Sequence, residues 1–168
     1  YSYRVAGTVG LMMAKILNVK DQNSMKAAVD LGIAMQLTNI ARDVVEDSNI
    51  NRFYIKNDYE TICNTLALAD LFYKSSFTAI KQIPFKFRFA ILVARRVYKK
   101  IGDKILRTGN IEAYNKAGKI YVNNIEKIFQ TIFSIFDLIT LILTKQKSSY
   151  MNNEHFLISE EINLDERI

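Results

Sequence analysis

The chain has 168 residues, 49% of them hydrophobic, with one proline, six glycines and no tryptophan, which suits one helical domain or part of one rather than a turn-rich β architecture. A single cysteine, Cys63, excludes an internal disulfide framework and fits a reducing cytoplasm, and a single histidine, His155, leaves no material for a zinc cluster, a Ser-His-Asp triad or a Cys-His dyad. The net charge of +6 suits anionic ligands, whether diphosphates, acidic lipid or nucleic acid.

Residues 1–17 read as a helix with Gly7 and Gly10 about one turn apart, a spacing that suits either close helix packing or a local break. The chain starts at Tyr1 rather than at a methionine, already inside this helix, so N-terminal helices are expected to be missing. After a polar connection, Asn23 or Ser24 is expected to cap a second helix running to about Asp47. Residues 48–58 read as a polar loop that projects Arg52 and Tyr54 just past that helix. A third helix is expected from Glu60 to Lys81, with Pro84 as the break, and a fourth from Phe85 to Arg107, ending before Gly109.

Basic residues Arg95, Arg96, Lys99, Lys100, Lys104 and Arg107 cluster on the fourth helix without interleaved aromatics. They read as a solvated face, and no nucleic-acid partner is expected. Residues 111–145 are expected to be mostly helical. The apolar run Ile128 to Thr144 is short for a membrane span and carries Gln130 and Asp137, so it reads as a core or interfacial helix. Residues 1–146 form one domain on this reading, and 147–168 a polar, frayed tail. No repeat, low-complexity tract or glycine-rich nucleotide loop is present.

The second helix carries the most chemistry. Gln36, Asn39, Asp43 and Asp47 fall within roughly 80° of one another at about 100° per residue. Asp43 and Asp47 are one turn apart and repel, and they lie among Leu31, Ile33, Met35, Leu37, Ile40 and Val44. Most acidic pairs at this spacing sit on solvated faces and bind nothing. Here the aliphatic surroundings point to a buried helix, where ionised carboxylates need a compensating cation. A hard divalent ion fits, Mg²⁺ first and Mn²⁺ as a substitute, because such ions prefer carboxylate, water and phosphate oxygens. Arg42 and Glu46, also one turn apart on a neighbouring face, are expected to form a local ion pair or to support the ligands from behind rather than to ligate.

Three segments then resemble a known family. Tyr1-Ser-Tyr-Arg-Val-Ala-Gly-Thr-Val-Gly-Leu-Met-Met-Ala resembles the Y-C-Y-x-V-A-G-x-V-G segment of squalene and phytoene synthases. Asp30-Leu-Gly-Ile-Ala-Met-Gln-Leu-Thr-Asn-Ile-Ala-Arg-Asp-Val-Val-Glu-Asp resembles that family's second aspartate-rich motif, and Ala94-Arg-Arg-Val-Tyr-Lys-Lys-Ile-Gly its late active-site helix. The three occur in the family's order over roughly residues 1–125, and their wording is closest to the bacterial phytoene synthases.

The resemblance implies an all-α, isoprenoid synthase-type helical bundle around a central cavity, joining two prenyl diphosphates head to head. It implies that Asn39, Asp43 and Asp47 hold Mg²⁺ bridged to a substrate diphosphate, with Gln36 and Arg42 nearby. Tyr1 stands at the reacting end of the pocket in this scheme, and Tyr98 and Lys119 approach a diphosphate. Val5, Val9, Gly10, Leu31 and Met35 line the prenyl channel, although ordinary core packing wants the same residues. The implied product is phytoene, from two geranylgeranyl diphosphates through a cyclopropyl diphosphate. A squalene-type synthase acting on farnesyl diphosphate is the alternative, as is a non-enzymatic scaffold or assembly factor of the same fold. Retention of Asn39, Asp43 and Asp47 weighs against the scaffold. Peripheral membrane association is compatible with the apolar substrate.

The chain also departs from the family. The first aspartate-rich motif lies upstream of the Tyr1 segment in relatives, and no other D-x-x-x-D replaces it here, so weak or no activity is expected of these 168 residues alone. The stretch from Tyr59 to Leu66 is shorter than in relatives by roughly a helix's length. Ser2 stands where cysteine is usual and Val45 where glycine is common. Lys119 stands where arginine is usual, which keeps the charge and loses bidentate geometry.

Overall fold

Helix α2, Gln22–Arg42, is the axis of the computed structural model, which describes residues 1–144. All regular structure among the described residues is helical. A π-helical turn at Tyr3–Gly7 leads into α1, Thr8–Ile16. After α2 come α3, Val44–Asn49, and α4, Tyr59–Phe77, which continues as a 3₁₀ turn over Thr78–Gln82. Then follow α5, Phe85–Leu106, α6, Ile111–Ala117, and α7, Asn124–Leu143. The expected tail, 147–168, lies outside the described residues, as does His155.

Helix α2 packs against α1, the π-helical turn, α4 and α5. Two glycines set the closest of these approaches. A Cβ on Gly10 would stand 2.1 Å from the carbonyl oxygen of Ala28, and a Cβ on Gly32 2.1 Å from that of Ala6. The small residues of the opening segment therefore serve helix crossing, one of the two uses their spacing allowed. One buried cluster, including Val29, Ile33, Phe72 and Tyr73, joins α2 to α4. A second, including Ala41, Ile62, Leu66, Ile105 and Tyr114, joins the end of α2 to α4, α5 and α6.

Several expected boundaries move, each for a local reason. The cap of α2 is Asp21, not Asn23 or Ser24: its carboxylate accepts from the Ser24 backbone N–H at 2.8 Å and the Ser24 hydroxyl at 2.7 Å. Residues 111–144 are mostly helical as expected, divided into α6 and α7 because Gly118 at φ 64° ends α6 and Asn123 starts α7 with a reciprocal capping box to Glu126.

The most consequential correction concerns α2 itself, which stops at Arg42 instead of running to Asp47. Asp43, at φ −102° and ψ 14°, separates it from α3. The break leaves carbonyl groups at the end of α2 without helical donors. The Tyr114 hydroxyl lies 2.9 Å from the carbonyl oxygens of both Ala41 and Arg42 and supplies the missing donor. Burial, the largest influence there, pushes the Tyr114 phenol up to about 12, so it stays protonated and donating.

Candidate functional site

Helices α1, α2 and α5 with the 3₁₀ turn line an open apolar cavity of ≈ 400 Å³. Val5, Val9 and Gly10 line it from one side, Leu31, Met35 and Gln36 from another, and Tyr98 from a third. Asn39 also lines it, one turn beyond Gln36 and one turn before Asp43. Sequence reasoning missed part of the wall: Ser76, Ala79, Ile80, Ile83 and Ile91 come from the end of α4, the 3₁₀ turn and α5. Nothing in their local pattern separates a wall from a core.

A second, more polar cleft of ≈ 580 Å³ opens past the end of α2, lined by Ile40, Val44, Asp47, Ser48, Arg52, Tyr54 and Lys56 among others. Tyr1 stands beside this cleft rather than in the lining of the apolar one. It is 60% exposed, its ring stacks on Tyr54 with centroids 4.5 Å apart, and the two hydroxyls are 3.0 Å apart. The hydrogen bond to Tyr54 holds the Tyr1 phenol above its ordinary value, with Arg52 pulling it the other way.

Asp43 has protein cations of its own, which corrects the premise that its carboxylate lacks compensation. Arg42 donates from Nε at 2.7 Å and from Nη2 at 2.6 Å, a bidentate pair. This bond with Asp43 raises the guanidinium's pKa. Lys119 stands 3.8 Å from Asp43 and bonds Glu46 at 2.6 Å, which raises the lysine's pKa. Arg42 thus pairs with Asp43 and Glu46 with Lys119, so of the two expected arrangements the Arg42–Glu46 pair does not form. The break at Asp43 is the reason: on an unbroken helix adjacent side chains diverge by about 100°.

The fit of a hard cation turns on Asn39. Its Oδ1 is buried and has no hydrogen-bond partner. A buried acceptor left in this state costs about 1–3 kcal/mol, so something normally satisfies it. Asn39 Oδ1 and the carboxylates of Asp43 and Asp47 are the oxygen donors that Mg²⁺ takes. The bidentate arginine leaves lone pairs on Asp43, since a carboxylate offers about four acceptor positions. Among the described residues no group of three or more His, Cys, Asp and Glu side chains is placed to hold a metal ion, so any metal here rests on two carboxylates and a carboxamide with non-protein oxygens completing the shell.

The structure brings Asn39 to the apolar cavity and Asp47 to the neighbouring cleft, while Asp43 lines neither; the all-helical fold is that of the isoprenoid synthase type. Residues 1–59 match the family of squalene/phytoene synthases. The 15-cis-phytoene synthase of Paracoccus sp. (strain N81106 / MBIC 01143) is 39% identical, over 71% of this chain and 47% of its own length. That of Pantoea ananas is 38% identical, over 65% of this chain and 42% of its own length. The phytoene synthase of Cereibacter sphaeroides is 36% identical, over 65% and 37%. The chain spans less than half the length of these curated relatives. No solved structure matches it. The chain is similar to the squalene/phytoene synthases over residues 1–59 and to bacterial phytoene synthases over about two thirds of its own length.

Proposed function

We propose that this chain carries one diphosphate-binding half of a phytoene synthase, which condenses two geranylgeranyl diphosphates head to head. The single observation that supports the reading most is the apolar cavity lined by Asn39, whose buried Oδ1 lacks a hydrogen-bond partner one helical turn before Asp43 in sequence. At ≈ 400 Å³ the cavity falls in the range of about 300–1,000 Å³ common for small-molecule sites.

Asn39, Asp43 and Asp47 would hold Mg²⁺, with Mn²⁺ as a substitute. The ion supplies charge neutralisation as the diphosphate leaves. The chain's own residues do the rest. Arg42 orients the Asp43 carboxylate through two hydrogen bonds. Lys119 adds positive charge at the same edge. Val5, Val9, Leu31 and Met35 exclude water from the allylic cation, which must meet the second prenyl double bond before it meets solvent. Tyr98 at the wall and Tyr1 at the neighbouring cleft offer ring faces to developing positive charge. Gly10 lets α1 approach α2 closely enough for both to share one cavity. Peripheral contact with a membrane belongs to the same reading, since substrate tail and product are hydrocarbon.

The test is incubation of the 168 residues with radiolabelled geranylgeranyl diphosphate and Mg²⁺, reading retained label and extracted product. Label should be retained with Mg²⁺, at least tenfold less by Asp43→Asn or Asp47→Asn, and little phytoene should form. Robust phytoene formation would overturn the assignment of only half a site. Retention indifferent to Mg²⁺ and to both substitutions would overturn the function.

A further inference from the structure

Arg95 departs from the solvated face that the basic residues of α5 suggested. It is 8% exposed, and burial, the largest influence, pulls its guanidinium below the ordinary arginine value. Arg96, Lys99 and Lys104 of the same helix each pair with a carboxylate, from Asp137, Asp70 and Glu126. Arg95 instead donates from Nε at 3.2 Å and from Nη2 at 2.9 Å to one backbone carbonyl, that of Tyr73. Its guanidinium also stands over the Phe77 ring, 4.9 Å from the centroid. Taking a cation out of water is costly, so packing alone does not require one here.

The carbonyl that Arg95 holds lies in the last turn of α4. The Ser76 hydroxyl donates to the same oxygen at 3.1 Å. Just beyond it the α-helix tightens into the 3₁₀ turn of Thr78–Gln82. Ser76, Ala79, Ile80 and Ile83, all shortly past that carbonyl, line the apolar cavity.

Two side-chain bonds show which end of the cavity this is. Ser75 donates to Asp30 at 2.7 Å, and the hydroxyls of Tyr73 and Thr38 are 3.0 Å apart. Helix α4 therefore runs antiparallel to α2, and the 3₁₀ turn lies toward the start of α2, away from Asn39. Ser24 and Asn39, fifteen residues apart on α2, both line the cavity, which gives it a length of roughly 22 Å.

We propose that Arg95 is a positioning residue that sets the depth of the cavity: by fixing the Tyr73 carbonyl it holds the turn that walls the end remote from Asn39, and so selects the length of the prenyl tail. The inference rests on this cavity being the prenyl site. A planar two-pronged donor fixes the direction of a carbonyl, which a lysine does less well and an aliphatic side chain not at all.

The test reads tail length alone. The full 168-residue chain is titrated, in EDTA and without diphosphate, with geraniol, farnesol and geranylgeraniol, beside Arg95→Met and Arg95→Lys. Wild type should bind geranylgeraniol about tenfold more tightly than farnesol, since the last isoprene unit reaches the turn. Arg95→Met should bring those two within about twofold of each other, with geraniol binding as in wild type, because the shortest tail does not reach that wall. Arg95→Lys should fall between, and it carries the comparison alone if the Met variant does not fold. An unchanged ratio in the variants overturns the proposal, as does an equal loss for all three alcohols, which marks a structural role only. A wild type that does not distinguish the alcohols overturns it too. None of these outcomes touches the Mg²⁺-dependent retention of prenyl diphosphate, whose loss by Asp43→Asn decides the diphosphate assignment by itself.

Discussion

Asp43 sits where two demands meet. Its backbone breaks the helix, and its carboxylate accepts from both Nε and Nη2 of Arg42. Arg42→Lys retains charge but cannot form the fork. In the binding assay above it should weaken retention of label by roughly tenfold, about 1.4 kcal/mol, and unchanged retention would show the fork to be idle. Tyr114 is the other residue on which the arrangement depends. Tyr114→Phe leaves the ends of Ala41 and Arg42 without their donor in a buried place. It should lower stability in urea by about 1–3 kcal/mol. Sequence reasoning could not reach Tyr114, because its partners lie 72 and 73 positions away and its own surroundings read as an ordinary short helix. The Arg42–Asp43 fork was hidden for the same reason, since it exists only where the helix breaks.

At the level of elements, periodicity and punctuation carried much of the information. Pro84 and Gly109 bound α5 as their chemistry requires, and Asp58 caps α4. The break between α2 and α3 was not legible, because residues 36–47 contain neither glycine nor proline and tertiary contact imposes it. The cavity walls were legible as apolar positions but not as walls, since core and channel select the same side chains. The α1–α2 crossing makes a sharp prediction. Gly32→Ala puts a methyl group against the Ala6 carbonyl, where only backbone movement relieves it. The loss should be about 1–3 kcal/mol, read as a lower melting temperature. The α7 capping box predicts a pH response. Lys104 and the Asn123 backbone N–H hold the Glu126 carboxyl below its ordinary range. The stability it contributes is present above the unfolded glutamate value and is lost as pH falls through the lower folded value. Glu126→Gln should flatten the acid side of the melting curve, and identical curves would exclude the linkage.

Among the described residues the molecule is a set of packed helices around α2 that share one apolar cavity. Its cavity, its Asn-Asp-Asp segment and its similarity to bacterial phytoene synthases point in one direction. Asn39 is where that reading is most exposed, because its buried oxygen is a liability unless something binds it. Asn39→Leu removes the acceptor and keeps the volume. The decisive measurement is titration of wild type and Asn39→Leu with an unreactive thiolodiphosphate analogue of geranylgeranyl diphosphate, in Mg²⁺ and in EDTA, beside a melting curve of each. Wild type should bind at least tenfold more tightly in Mg²⁺ than in EDTA. Asn39→Leu should lose that difference while melting no lower than wild type. Equal Mg²⁺-dependence in the two proteins would contradict the account.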